Sequence, residues 1–220
     1  MLRVGLTGDL GSGKSTVAAM LAARGAFVMS SDEMGRAMMQ PGHAVYNEIV
    51  ERFGAGVVLP GGQLDRRELA RLAFDLVPPR VEELNAIVHP AVIAEQARRL
   101  AELAGTEAIA VVESALIFTS VYAGDEPWRD RFDTIVCVTA PTETKVQRFV
   151  ARARGASPWD TAQTEAARAD AHRRLQLQQP AEAFQKHCLT VANDGTRADL
   201  ELRVEALWGV LQRLAAATRA

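Results

Sequence analysis

Residues 8–15 read Gly8-Asp9-Leu10-Gly11-Ser12-Gly13-Lys14-Ser15, and no other feature narrows the possible folds of this chain so far. The pattern G-x-x-x-x-G-K-[ST] is a loop whose backbone amides converge on phosphate groups at the start of a helix. Glycines at 8, 11 and 13 allow backbone angles and close approaches that a Cβ would forbid. Lys14 reaches the β and γ phosphates as a movable cation, and the Ser15 hydroxyl is placed to ligate magnesium. Thr16 follows in the first helical turn. The loop must sit between a buried strand and an amphipathic helix. Leu2 to Thr7 supplies the strand, and the pattern from about Lys14 to Arg24, stopping at Gly25, supplies the helix.

Short apolar, β-branched runs recur at Ala26 to Ser30, Glu107 to Glu113, Thr134 to Thr139 and Cys188 to Ala192, with helical patterns between them. That alternation predicts an α/β protein with a five-stranded parallel sheet flanked by helices. The stretch between the second and third strands is too long for a simple crossover and is broken at Pro41, at a Gly-Pro-rich turn and at Pro78-Pro79. It reads as an inserted helical subdomain that presents a second substrate, or else as a helical cap without chemistry. Asp199 to Arg219 forms a last helix with no chemical signature.

The chain has 220 residues, of which 48% are hydrophobic and 24% charged. One domain of this size buries roughly 70% of the surface its unfolded chain exposes, so it needs no disulfide or structural metal. A formal net charge of -2 gives no global field to gather nucleic acid or anionic membrane, so any anion is held locally. Cys137 and Cys188 lie in apolar runs and read as separate, reduced thiols of a cytoplasmic protein. No segment reads as a leader or a membrane span, no cysteine–histidine spacing suits zinc, and no obligate protein partner is evident.

A phosphate loop does not by itself separate kinases from GTPase switches, because both bind a triphosphate in the same way. Asp32 follows the second strand, at the sheet edge where ligands of α/β folds collect, and a carboxylate there can accept a hydroxyl proton. It can equally cap a helix beginning at Glu33. Glu113, ending the third strand, is suited to hold magnesium through water or to cap a helix. Arg148, Arg152 and Arg154 follow the fourth strand on a helix entering a Gly-Ala-Ser-Pro segment; they form either a flap carrying cations over the transferring phosphate or a solvated basic face. Asp32 to Gly35 also spells the DxxG of a GTPase switch, but after the wrong strand and without an NKxD for guanine.

Taken together, the residues resemble the dephospho-CoA kinase family from Val4 to about Trp208. The likeness is carried by VGLTGxxGSGKST at Val4 to Thr16 and by Asp32 to Arg36 as the end of a DADxxxR segment. Pro41-Gly42, Phe53-Gly54, Leu64-Asp65-Arg66 and His89-Pro90 follow in the family's order. Gln147-Arg148 with Arg152 resembles a QxxRxxxR pattern, while Arg174 to Gln178 matches an RxxxQ and Asn193-Asp194-Gly195 a final NxG. The resemblance implies a P-loop kinase fold: one domain over residues 1–220, with a helical CoA-binding subdomain at about 33–105 and a lid at about 150–175. It implies ATP and dephospho-CoA as substrates and Mg2+ as cofactor. Asp32 would be the base toward the 3'-hydroxyl of dephospho-CoA, with Thr7, Arg36 and His89 near this acceptor. Arg148 and Arg152 would serve the phosphates together with Lys14, and Arg174 and Asn193 would border the adenine. Nucleoside and shikimate kinases share the same architecture but not the His-Pro and NxG patterns.

Several positions depart from the family's pattern. Asp9 stands where glycine is usual, and a carboxylate in an anion loop is expected to point outward. Ser30 replaces the first aspartate of DAD. Glu113 to Thr119 replaces DxPLLFE. The segment from Arg154 to Arg168 is longer than the usual lid, and an EEK pattern is missing around Glu182 to Phe184.

Overall fold

The protein is described here from a computed structural model that covers residues 1–75, 77–106, 108–120, 122, 128–156, 158–178 and 186–218. Glu107, Arg219 and the segment from Glu182 to Phe184, on which sequence expectations fell, lie outside the described residues. Five strands form one parallel sheet in the order β2-β3-β1-β4-β5. They are β1 (Leu2–Thr7), β2 (Phe27–Ser30), β3 (Ile109–Glu113), β4 (Thr134–Thr139) and β5 (Leu189–Ala192). β1 lies in the middle, pairing Leu2 with Ile109 of β3 and Val4 with Thr134 of β4.

The chain divides into two compact units. The first comprises Met1–Val28, Leu103–Thr119 and Glu126–Ala220 and contains most of the sheet. Its helices are α1 (Lys14–Ala22), α6 (Thr142–Arg154), α7 (Thr161–Leu177) and α8 (Arg197–Ala217). Apolar side chains of the strands meet α1 and α8 in one core, where Val4, Leu6, Val17, Leu21, Val136, Val204 and Leu211 are buried. Packing is tight on the other side of β1 as well. A Cβ on Gly5 would come within 2.8 Å of Ile117 and 3.1 Å of Phe132, so the strand cannot carry a larger residue there without a shift. α8 begins at a capping box, in which the Thr196 hydroxyl accepts from the Asp199 amide and the Asp199 carboxylate accepts from the Thr196 amide.

The second unit comprises Met29–Glu102 and Ser120–Asp125. It contains α2 (Ser31–Met38), α3 (Ala44–Phe53), α4 (Arg66–Ala70) and α5 (Val81–Glu102), with a short 3-10 turn at Ala55–Val57 and a π turn at Arg71–Asp75. Val45, Ile49, Phe53, Val57, Leu64, Leu69 and Ile87 make a separate core, so this unit buries apolar surface of its own. α4 is capped by Asp65, whose carboxylate accepts from the amides of Arg67 and Glu68 at 2.9 and 3.1 Å. Gly35 of α2 faces Val88 and Val92 of α5, with its notional Cβ at 3.4 and 3.7 Å from them. This glycine of the DxxG spelling therefore serves helix packing.

Two sequence expectations change here. Cys137 and Cys188 are joined as a disulfide with Cα atoms 5.7 Å apart, rather than standing as separate thiols. β4 and β5 are neighbouring parallel strands, and sequence alone could not show that the two apolar runs lie side by side. The helix after β2 starts at Ser31 and is preceded by Ser30 as its N-cap, so Asp32 stands inside the first turn and does not cap it.

Candidate active site

β1 ends at Thr7, which is buried, and the chain turns through residues 8–13 into α1. Gly13 takes the N-cap position with φ 95 and contributes no side-chain cap, and the first turn of α1 holds no acidic residue. Thr16 and Val17 donate their amides to the Gly13 carbonyl at 3.0 and 3.1 Å. Among the described residues, the amides of Gly11, Gly13, Lys14 and Ser15 donate to no protein acceptor, and Lys14 forms no ion pair. A helix end with its amides open and a lysine ammonium beside it has the donors and the charge to receive an anion.

The loop is braced from two directions. A Cβ on Gly11, whose φ is +73, would fall 2.3 Å from the Lys145 carbonyl oxygen, so the loop backbone rests against the backbone of α6. A Cβ on Gly13 would fall 2.2 Å from Nδ2 of Asn193, in the turn after β5. That Nδ2 donates to the Ser12 carbonyl at 2.8 Å. The Arg148 guanidinium donates to the carbonyls of Gly11 and Ser12 at 3.5 and 3.3 Å, and to both the backbone and side-chain oxygens of Asn193 at 3.1 Å. Gln178 accepts from the Leu10 amide at 3.0 Å. Carbonyls of the loop are thus tied back into the protein, which turns the opposing amides outward. Ser12 itself is buried, and its hydroxyl has no hydrogen-bond partner among the described residues.

Ser15, in the first turn of α1, donates its hydroxyl to a Glu113 carboxylate oxygen at 2.6 Å. Glu113 is 7% exposed at the end of β3, and parallel pairing of β1 with β3 brings the two ends together. A hydroxyl and a carboxylate in contact are the hard oxygen donors that a divalent cation such as Mg2+ prefers. The donor set fits it.

Asp9 does not point outward. Its side chain is 9% exposed and forms an ion pair with Lys145 of α6, itself 5% exposed. Sequence reasoning missed this pair because nothing in the spacing of residues 9 and 145 signals contact. Arg148 is half-buried against the loop, whereas Arg152 is exposed on the same helix. Arg174 pairs with Asp170 at 2.8 Å and lies over the Phe149 ring at 5.5 Å. The remaining candidates lie in the second unit. Asp32 is exposed and its carboxylate makes no hydrogen bond among the described residues; Arg36 turns back to donate to the Asp32 carbonyl at 3.1 Å. Gln96, buried on α5, donates to the Ser31 hydroxyl at 2.8 Å and so fixes the start of α2 next to Asp32. His89 packs edge-on against Tyr122 at 5.5 Å, and burial lowers its pKa from the usual 6.5 against a weaker opposing pull from Glu82.

The dephospho-CoA kinase family model matches residues 2–197. The chain belongs to that family. It is 37% identical over 218 residues to a dephospho-CoA kinase of Moorella thermoacetica, covering 97% of this chain and 93% of the other. With the dephospho-CoA kinase of Thermobifida fusca it shares 35% over 213 residues, covering 97% and 98%. A crystal structure from Thermus thermophilus superposes with a TM-score of 0.69 at 30% identity over 96% of this chain and 97% of that one. The dephospho-CoA kinase of Campylobacter jejuni superposes with a TM-score of 0.59 at 17% identity, covering 95% and 96%, and adds support for the fold. This family member therefore has a P-loop kinase fold. Among the described residues, no helix is long and apolar enough to cross a membrane.

Proposed function

We propose that this protein transfers the γ-phosphoryl group of ATP directly to the 3'-hydroxyl of dephospho-CoA, giving coenzyme A. The observation that carries the reading is the open row of amides at Gly11, Gly13, Lys14 and Ser15 beside an unengaged Lys14 ammonium. These groups bind the β and γ phosphates, and they neutralise charge that spreads over the transferring oxygens. Gly8, Ser12 and Thr16 complete the loop. Arg148 holds the loop's carbonyls in place and, with Arg152, contributes positive charge toward the phosphates. The Asn193 amide is committed to Ser12 and Arg148, so its contribution to nucleotide binding runs through the loop, while Arg174 borders the adenine.

Asp32 accepts the proton of the attacking hydroxyl, a role suited to an exposed carboxylate that no described residue engages. Thr7, Arg36 and His89 serve the acceptor, residues 33–105 bind the CoA moiety, and residues 150–175 close as a lid. Ser15 and Glu113 hold Mg2+, which supplies charge neutralisation at the phosphate oxygens when bound. The expected setting is the cytoplasm.

Incubation with ATP, Mg2+ and dephospho-CoA, followed by mass analysis, should show one added phosphate on the acceptor. No transfer to dephospho-CoA, alongside turnover of a nucleoside or of shikimate in the same acceptor panel, would sink the assignment.

A further inference from the structure

The loop that receives a polyphosphate carries its own carboxylate, Asp9, and that carboxylate is buried. An uncompensated negative charge in the loop would repel a polyphosphate bound there, and burial leaves such a charge poorly screened. Lys145 meets it. Its Nζ donates to Asp9 Oδ2, and both side chains are more than nine-tenths buried. Lys145 stands in the first turn of α6, where its amide donates to the Pro141 carbonyl at 3.0 Å and its backbone lies beneath Gly11. One residue thus supports the loop twice, through its backbone at Gly11 and through its ammonium at Asp9.

The geometry points to Lys145 as a positioning residue for nucleotide binding: it cancels the Asp9 charge, so that the loop offers the ligand amides and the Lys14 cation with no opposing carboxylate. Lys145 acts through Asp9 and not by touching phosphate. The claim rests on the reading that the loop binds ATP. It makes a prediction that a purely structural ion pair does not, because the two partners should affect ATP in opposite directions. Removing Lys145 takes this counter-ion away from the buried carboxylate, whereas removing the charge of Asp9 leaves the Lys145 cation beside the loop without this carboxylate to offset it.

The test is ATP binding by calorimetry and steady-state kinetics on the parent, K145M, K145R, D9N and D9N/K145M, with circular-dichroism melts to establish that each is folded. K145M should raise the Kd and KM for ATP on the order of tenfold to a hundredfold, the scale of one uncompensated charge near an anion, with kcat changed by much less. K145R, which keeps the charge, should recover most of that loss. D9N should bind ATP as tightly as the parent or more tightly, and D9N/K145M should return to within about threefold of the parent. If K145M does not fold, the double variant decides, since it removes both charges of the pair. Weak ATP binding by a folded D9N/K145M overturns the proposal, because Lys145 would then act on the nucleotide itself. Loss of affinity in D9N as large as in K145M also overturns it. Failure of the parent to bind ATP would refute the functional reading instead, which keeps the two failures apart.

Discussion

Arg148→Met keeps most of the aliphatic bulk at residue 148 and deletes the guanidinium that joins the loop to Asn193. Two of its bonds reach Asn193 at 3.1 Å, and two longer ones reach the Gly11 and Ser12 carbonyls at 3.5 and 3.3 Å. A hydrogen bond to a charged group nets about 1.5–3 kcal/mol when well made, and bonds at the longer distances contribute nearer to about 0.5 kcal/mol. The two bonds to Asn193 are not independent, so the expected loss is about 2–4 kcal/mol. For a chain of this length each kcal/mol moves Tm by about 2–4 °C, which gives a fall of about 4–16 °C. Asn193→Ala breaks the same network from its other end, losing the 2.8 Å bond to Ser12 as well. Since each change already removes the shared contact, the double variant should be less destabilised than the sum of the singles, with a coupling of at least about 1 kcal/mol. Thermal melts of the four proteins measure it, with ATP affinity read in parallel. Additivity to within about 0.5 kcal/mol would mean that Arg148 and Asn193 do not act as one brace.

Asp32→Asn should bind ATP as the parent does and lose most turnover, a split that single-turnover kinetics resolves; full retained activity removes Asp32 from the mechanism. Gly11→Ala places a Cβ 2.3 Å from a backbone oxygen at a φ of +73, so ATP binding should fall by more than tenfold, while melts should still show a cooperative fold. His89 has a folded-state pKa below 6.5 because of burial. The folded state therefore binds fewer protons than the unfolded one. Stability attributable to this group is fully present above pH 6.5 and is lost as pH falls through the folded value. His89→Gln should flatten the fall in stability below pH 6.5, as measured by urea denaturation at a series of pH values; an unchanged slope would exclude this contribution.

Much of this fold is legible because its signals are local. The apolar, β-branched runs at Leu2–Thr7 and Thr134–Thr139 have the same bounds in sequence and structure. The loop announces itself through glycines whose backbone needs are intrinsic to its geometry. What the sequence conceals is the company that these elements keep. Arg148 reads as a cation on a flap, yet it spends its donors on carbonyls of the loop and on Asn193. Asp9 reads as an anomaly that must face water, yet Lys145 lies within reach in the interior. The start of α2 shifts to Ser31, with Ser30 rather than Asp32 at the N-cap although the two residue types cap about equally well in isolation, and a contact from the buried Gln96 to Ser31 accompanies that choice. Such pairings depend on which strands lie side by side, and local propensity does not encode that.

Strand order also has a bearing on how the protein comes to exist. β1 is made before both of its partners: Leu2 pairs with Ile109 of β3, and Val4 with Val111 of β3 and Thr134 of β4. Until then its apolar residues have no lattice of hydrogen bonds to join, and the nucleotide loop hanging from its end has no wall to rest on. The helical unit between, which possesses its own core, can condense on the ribosome while β1 waits. Newly made chains should therefore depend on chaperones through this interval, and in refolding, formation of the central sheet should lag behind helix formation.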